Sequence, residues 1–325
     1  MHAVLEVLGE RAATGSRPGA RSDGHRVALV VEGGGMRGVV SCAMAAAIEE
    51  LGLVDAFDLV VGTSAGALNG AAVLAGVAGG CTEEYSGGFA SRAFFSPARL
   101  LLGRPAVNVG YTLDFSSPRL DADRHARTHG SAIELHCVAT DVDAAAARDL
   151  TRPADVGELR TMLLASSRLP WIGGEPVRFR GRRWLDGGLC EPIPLDAALA
   201  AGATHALVLL TQPLGYRMHG DGDGDQLPGR GERYVARRLR LLNPALAEAF
   251  DRRGAAYTRA TARVTDGDEH VLGIALPRGT RVPGRLDRDV TRLRAAADLS
   301  RATALGVLTA AARRTGDLSG DPGPR

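Results

Sequence analysis

The chain has 325 residues, of which 45% are hydrophobic and 23% charged, and its formal net charge is +2. This composition is typical of a globular protein with room for one large domain or two small ones. The near-neutral charge argues against a nucleic-acid partner. No run of about 18 apolar residues indicates a transmembrane helix. Because the N-terminus also lacks a signal-peptide pattern, we expect a cytoplasmic protein.

Strand and helix patterns alternate along the chain. Residues 1–25 end in a stretch rich in Gly, Ser, Arg and Pro, which predicts a mobile leader. Val27–Val31 is an apolar run without polar alternation, the pattern of a strand buried on both faces, and Asp58–Val61 has the same character. Helices are predicted over Arg37–Leu51 and Ala65–Gly76.

The alternation continues to the C-terminus. Further strands are predicted at 133–139, 183–185, 205–210 and 270–275, and further helices at 81–93, 156–166, 195–201, 234–263 and from 286 to about 314. We therefore expect an α/β fold with a mainly parallel central sheet. A loop-rich insert is predicted from Phe94 to about Gly130. We interpret its apolar segment, Ala93–Gly103, as the insert's own core rather than as a membrane contact.

Two glycine-rich motifs carry the chemical information. The first, GGGMRG at Gly33–Gly38, fits the G-x-G-x-x-G pattern of a dinucleotide-binding turn. Such a site needs an acid at the end of the second strand, whereas Asp58 lies at its start. The second motif, GTSAG at Gly62–Gly66, follows that strand. A strand that turns sharply into a helix at Ser64 would expose the hydroxyl above the sheet, and flanking glycines would relieve the crowding there.

A serine nucleophile needs a base, and two kinds of base are available. Asp186 ends a short predicted strand and could accept the Ser64 proton directly, although on its own it also fits an ordinary Asp-Gly turn. A downstream histidine (His205, His219 or His270) would instead complete a Ser-Asp-His triad. None of these histidines lies in a small, Gly-flanked turn.

In this order, the motifs EGGGMRG, GTSAG and LDGG resemble the patatin-like phospholipase family. The resemblance includes VATD at 138–141, LASSRLP at 164–170 and PIP at 192–194, and it covers roughly Arg26 to Thr211. It implies a three-layer αβα fold with a mainly parallel sheet. Residues 26–285 would form the acyl hydrolase domain, with a loop insert near 213–233. Residues 286–325 would form a C-terminal helix and a disordered tail.

The resemblance also implies a Ser-Asp dyad without a catalytic histidine, in which Ser64 is the nucleophile and Asp186 is its base. The D-G-G motif would be completed by Gly187 and Gly188, and the nucleophile elbow by Gly62, Thr63, Ala65 and Gly66. The oxyanion hole would be formed by the loop of Gly33, Gly34, Gly35, Met36, Arg37 and Gly38. Its main donors would be the N–H groups of Gly34, Gly35 and Met36.

Two positions depart from the family pattern. Pro192 stands where many members carry an asparagine, and Arg168 stands where a small residue is usual. Neither change affects Ser64, Asp186 or the glycines. Within the loop, Arg37 could either steer an anionic headgroup or brace the backbone.

The expected activity is hydrolysis of a phospholipid or another fatty-acyl ester through an acyl-enzyme, without a cofactor or metal and with a possible transient contact with a membrane surface. Two alternatives are an esterase with a Ser-Asp-His triad and a non-catalytic lipid-binding or regulatory protein on the same scaffold.

Overall fold

The computed structural model describes residues 1–113, 122–218 and 229–312. Its strands are β1 (Val27–Val31), β2 (Leu59–Thr63), β3 (Glu134–Asp141), β4 (Ala146–Leu150), β5 (Val177–Phe179), β6 (Arg182–Asp186), β7 (His205–Leu209) and β8 (Val271–Ile274). Its helices are α1 (Ala3–Thr14), α2 (Val39–Glu50), α3 (Ala65–Leu74), α4 (Ala78–Ser86), α5 (Val109–Thr112), α6 (Ala122–His129), α7 (Val156–Ser166), α8 (Leu195–Ala200), α9 (Arg230–Leu242), α10 (Pro244–Asp251), α11 (Arg253–Thr265) and α12 (Val290–Ala312).

The strands form one sheet in the order β5-β6-β3-β2-β1-β7-β8, with β4 paired to β3 outside this path. The five strands β3, β2, β1, β7 and β8 run parallel, whereas β4, β5 and β6 pair antiparallel. The expected α/β fold with a mainly parallel sheet is thus confirmed. Sequence reasoning missed β4 and β5, because β4 is largely exposed and polar and β5 has only three residues.

Helices cover both faces of the sheet, which gives the expected three layers. Along β1, Val27, Leu29 and Val31 face the core under α2, α3 and α12, while Ala28 and Val30 face the core under α8 and α11. This alternation explains why β1 has no polar positions. None of the helices within the described ranges is long and apolar enough to cross a membrane.

The mobile leader predicted for residues 1–25 is corrected by the structure. Helix α1 occupies half of this segment and buries Val4 and Leu8 in the core. The buried Arg11 guanidinium donates hydrogen bonds to Asp23 and Asp58, and also to the carbonyl oxygens of Ala56 and His25. These bonds fix the polar stretch that composition alone predicts to be mobile.

Two further sequence predictions change in the C-terminal third. The single helix predicted at 234–263 is three helices, because Pro244 lacks the N–H that would continue α9, and Asn243 caps α10 by accepting from the Ala245 N–H at 3.0 Å. Helix α12 starts at Val290 rather than at 286. It packs into the same core as α1 and is therefore part of the main body of the protein. The predicted disordered tail beyond 312, His219 and about half of the predicted loop insert lie outside the described residues.

Candidate active site

Ser64 lies in the sharp turn between β2 and α3. Its backbone has φ 56° and ψ −125°, a conformation that residues with a side chain rarely adopt. The turn is also crowded, since a Cβ atom on Gly66 would lie 2.2 Å from the Val31 carbonyl oxygen. A glycine is therefore required beside Ser64, and the turn projects the serine side chain from the carboxyl end of the sheet.

Asp186 meets this serine from the end of β6. The Ser64 Oγ atom donates to Asp186 Oδ2 at 2.5 Å, and the Gly188 N–H donates to Asp186 Oδ1 at 2.8 Å. The Asp186 carbonyl oxygen accepts from Thr140 Oγ1 at 2.8 Å, which fixes the strand end against β3. Both carboxylate oxygens are thus oriented, and one of them points at the serine hydroxyl.

The protonation of Asp186 is set by its buried position. Burial raises the pKa of the carboxyl above its usual value, and the hydrogen bonds from Ser64 and Gly188 and the nearby Arg285 guanidinium offset only part of this rise. A carboxylate with a raised pKa is a stronger base than an exposed aspartate. This property suits a residue that has to accept a proton without the help of an imidazole.

The glycine loop lies next to the pair, between β1 and α2. The Gly33 N–H donates to the Pro192 carbonyl oxygen at 3.3 Å, and the Met36 N–H donates to the Arg285 carbonyl oxygen at 3.0 Å. Met36 was expected among the main oxyanion donors, but its N–H is already engaged. In the described ranges, the N–H groups of Gly34 and Gly35 have no protein acceptor. They are the loop donors available to a ligand.

The conformation of Gly35 explains why the loop needs this residue type. Its φ is 57°, and a Cβ atom there would lie 2.5 Å from the Arg285 carbonyl oxygen. The segment that carries Arg285 therefore packs directly on the loop, although it is distant in sequence.

Arg37 is buried and braces this loop from behind. Its Nε atom donates to Thr211 Oγ1 at 3.1 Å. The fully buried Glu32 carboxylate accepts from the Thr211 N–H at 2.5 Å. Burial lowers the pKa of Arg37, while the charge of Glu32 acts in the opposite direction. Of the two roles considered for Arg37, the geometry favours bracing over contact with a headgroup.

The sequence model of the family described as Patatin-like phospholipase matches residues 29–199, which is more than half of the chain. The chain belongs to the patatin-like phospholipase family. The matched region contains the glycine loop, Ser64 and Asp186, but it ends well before Arg285.

Two individual proteins also resemble this patatin-family chain. The Uncharacterized protein YjjU of Escherichia coli (strain K12) is 30% identical over 192 residues, which make up 58% of this chain and 52% of that protein. The chain therefore spans about half the length of this curated relative. The alignment with the crystal structure of VipD from Legionella pneumophila covers 88% of this chain and 67% of the VipD chain, with a TM-score of 0.41 and 10% sequence identity.

Two clefts meet at Ser64 in this patatin-family chain. The first has a volume of about 60 Å³, and we call it the polar cleft because charged side chains, including Asp186 and Arg285, line it next to Gly34. The apolar cleft, with a volume of about 50 Å³, is lined mainly by Leu68, Phe89, Phe94, Val107 and Val109. Ser64 thus lies between a cleft with charged side chains and a hydrophobic cleft.

The candidate histidines lie elsewhere. His205 pairs with Val27 at the start of β1, whereas Gly62, just before Ser64, pairs with Val31 at its end. The two ends of a strand of this length lie about 13 Å apart, so His205 and Ser64 lie at opposite ends of the parallel strands. His270 lies with His205, at 4.8 Å between ring centroids, and His219 is outside the described residues.

Two supporting residues were missed by sequence reasoning. Ser166 Oγ accepts from the Ser64 N–H at 2.9 Å and donates to the Val138 carbonyl oxygen at 2.7 Å. Asn69, buried in α3, donates to the Gly38 carbonyl oxygen at 2.9 Å and so ties the glycine loop to the helix that follows Ser64. A signal for Asn69 exists in the sequence, since it is the only polar side chain in AGALNGAAVL.

Proposed function

We propose that the protein is a serine lipid acyl hydrolase that cleaves fatty-acyl esters through a Ser64–Asp186 dyad. The observation that carries this proposal is the 2.5 Å hydrogen bond from Ser64 Oγ to Asp186 Oδ2, made at a strained turn. Membership of the patatin-like phospholipase family supports a lipid ester as the substrate.

In the first step, Ser64 Oγ attacks the ester carbonyl carbon while Asp186 Oδ2 accepts the hydroxyl proton. The carbonyl oxygen becomes an oxyanion, and the free N–H groups of Gly34 and Gly35 donate to it. One such donor contributes about 3 kcal/mol to the stabilisation of the transition state. The tetrahedral intermediate then collapses, the C–O bond to the alcohol breaks, and Asp186 returns the proton to the leaving oxygen.

In the second step, water attacks the acyl-serine. Asp186 accepts a proton from the water, the same two N–H groups stabilise the second oxyanion, and the bond to Ser64 Oγ breaks. Asp186 returns the proton to Oγ, and a free fatty acid leaves. The cycle uses no metal and no cofactor, and the dyad returns to its starting state.

The two clefts suggest how the ester is placed. The acyl chain enters the apolar cleft, and the alcohol portion enters the polar cleft, where Arg285 offers a positive charge to a phosphate group. The apolar cleft has a volume of about 50 Å³, which holds one or two water molecules. A fatty-acyl chain is much larger than this volume, so the cleft in this conformation accommodates only a short part of the chain.

A fluorophosphonate probe tests whether Ser64 is an active nucleophile. We expect wild type to be labelled on Ser64, as located by peptide mass spectrometry, and Ser64→Ala to remain unlabelled. Ser300→Ala is the matched control, because this buried serine lies on α12 and donates to the Ala296 carbonyl oxygen. An unlabelled wild type would indicate a lipid-binding protein without turnover.

A second set of variants separates the dyad from a triad. Under the dyad mechanism, His205→Ala and His270→Ala keep the labelling rate of wild type, whereas Asp186→Asn loses it. If a histidine variant loses labelling and remains folded, the base is an imidazole.

A further inference from the structure

An arch of the chain projects from the rim of the apolar cleft. Its base is closed by an antiparallel bridge between Phe95 and Val107 and by a hydrogen bond from the Ser96 N–H to the Ala106 carbonyl oxygen at 2.9 Å. Its tip is a 3-10 turn, Pro97–Leu102, that ends at Gly103 with φ 66°. The Val107 N–H donates to the Ile172 carbonyl oxygen at 2.8 Å and anchors the base to the body of the protein.

The tip exposes three consecutive leucines. Leu100, Leu101 and Leu102 are 50%, 89% and 74% exposed. The interpretation of this segment as a buried core of the insert is therefore wrong. Single exposed apolar residues are common, but an adjacent set of exposed leucines is typical of a site that contacts a membrane or another protein.

The charged side chains of the arch segment itself all have one sign. From Ser91 to Leu113 the chain contains three arginines, Arg92, Arg99 and Arg104, and no aspartate or glutamate. Within the described part of the chain, Arg92 and Arg104 have no ion-pair partner. Apolar residues flanked by arginines match a surface that is anionic outside and hydrocarbon within.

The same arch forms part of the apolar cleft. Phe94 and Val107 at its base line the cleft beside Ser64, while the leucines stand at the other end of the arch. A contact made by the tip therefore brings the cleft close to the contacted surface. The arch thus shares Phe94 and Val107 with the cleft that we propose for the acyl chain.

We propose that this arch docks the protein on an anionic lipid bilayer. Leu100–Leu102 enter the acyl region, and Arg92, Arg99 and Arg104 lie among the headgroups. The inference deepens the proposed function, because it states where the substrate is met. It nevertheless concerns binding, which is measured without turnover.

The test is cosedimentation of the full chain with phosphatidylcholine vesicles, prepared with and without phosphatidylglycerol. We expect Leu101→Ser to weaken binding by about tenfold or more, since a fully inserted leucine side chain is lost. Arg104→Gln should weaken binding about fivefold on vesicles containing phosphatidylglycerol and leave binding to phosphatidylcholine unchanged. The unfolding temperatures of both variants should match that of wild type, because both side chains are exposed.

Leu102→Ser and Leu241→Ser form a matched pair, because both side chains are 74% exposed. Leu241→Ser is the control, since Leu241 lies outside the arch on the arginine-rich helix α9. The proposal predicts a loss of binding for Leu102→Ser alone. Equal losses would place the docking surface outside the arch and overturn the proposal. A wild type that binds neither vesicle would also overturn it, as would a dimer in sedimentation velocity that Leu101→Ser dissociates, since the leucines would then contact a second copy.

Repeating the measurement in the Ser64→Ala background separates this proposal from the proposed function. Vesicle binding that persists without the nucleophile supports docking whether or not the protein hydrolyses esters. Ester hydrolysis without vesicle binding refutes docking alone.

Discussion

Ser166→Ala should impair both the stability and the activity of the protein, although Ser166 touches no reacting atom. Ser166 Oγ accepts from the Ser64 N–H at 2.9 Å and donates to the Val138 carbonyl oxygen at 2.7 Å. Alanine fills nearly the same space but removes both bonds. The substitution therefore leaves the Ser64 N–H without its acceptor at the most strained residue of the site.

The magnitude follows from the groups that lose their partners. A buried donor left without a partner costs about 1–3 kcal/mol, so the free energy of unfolding should fall by that amount. The φ of 56° at Ser64 is itself costly, by about 1–3 kcal/mol, and persists only while its surroundings hold it. A relaxed Ser64 displaces Oγ from Asp186, and a displacement of about 1 Å reduces kcat about 100-fold.

The neighbouring serine provides the control. Ser167 is also buried, but its hydroxyl has no hydrogen-bond partner among the described residues. Removing it orphans no group and relieves the cost of burying an unpaired hydroxyl, so the free energy of unfolding of Ser167→Ala should equal or exceed that of wild type. Urea denaturation and kcat on a soluble ester measure both effects for the two variants. Equal losses of stability and kcat in Ser166→Ala and Ser167→Ala would refute the role assigned to the Ser64 N–H bond.

Three further predictions concern buried charge. First, kcat/KM should fall as the pH drops through the raised pKa of Asp186, because only the carboxylate accepts the serine proton; a flat profile down to the usual aspartate range would contradict this. Second, Asp186→Asn should have a higher free energy of unfolding than wild type at neutral pH. Because the pKa of Asp186 is raised in the folded state, the protonated carboxyl contributes stability below the unfolded-state pKa, and this contribution is lost as the pH rises through the folded-state pKa. The free energies of unfolding of the two proteins, measured by urea denaturation, should therefore converge in acid. Third, Arg11→Leu should lower the free energy of unfolding by about 3–5 kcal/mol, because the buried Asp58 loses one of its partners. The exposed ion pair between Arg301 and Glu50 is the control, and Arg301→Leu should lower the free energy of unfolding by about 1 kcal/mol or less.

The parts of the fold that the sequence predicts best are those coded by neighbouring residues. The β1 strand is an uninterrupted apolar run, and GTSAG directly after an apolar strand predicts a strand-to-helix turn at Ser64. Both patterns are local, so no tertiary information is needed to read them. Asp186 was identified only through the order of three motifs, because an Asp-Gly-Gly turn by itself has many uses.

The missed features depend on contacts between distant segments. Arg285 lies outside the region that matches the family, and its carbonyl oxygen occupies the Met36 N–H that was expected to serve as an oxyanion donor. The composition of the N-terminal segment predicts a mobile leader, yet Arg11 in this segment donates a hydrogen bond to Asp58, directly before β2. The three leucines of the arch form an apolar run that is typical of a small hydrophobic core. Whether such a run is buried depends on the segments that pack over it, and the described residues leave these leucines exposed.

The Ser64–Asp186 mechanism is tested most directly by the hydrolysis of p-nitrophenyl esters of increasing acyl length by wild type, Ser64→Ala and Asp186→Asn. We expect wild type to hydrolyse the esters and both variants to lose activity while remaining folded. If Asp186→Asn hydrolyses the esters at nearly the wild-type rate while Ser64→Ala is inactive, the base is another residue and the Ser64–Asp186 mechanism is wrong.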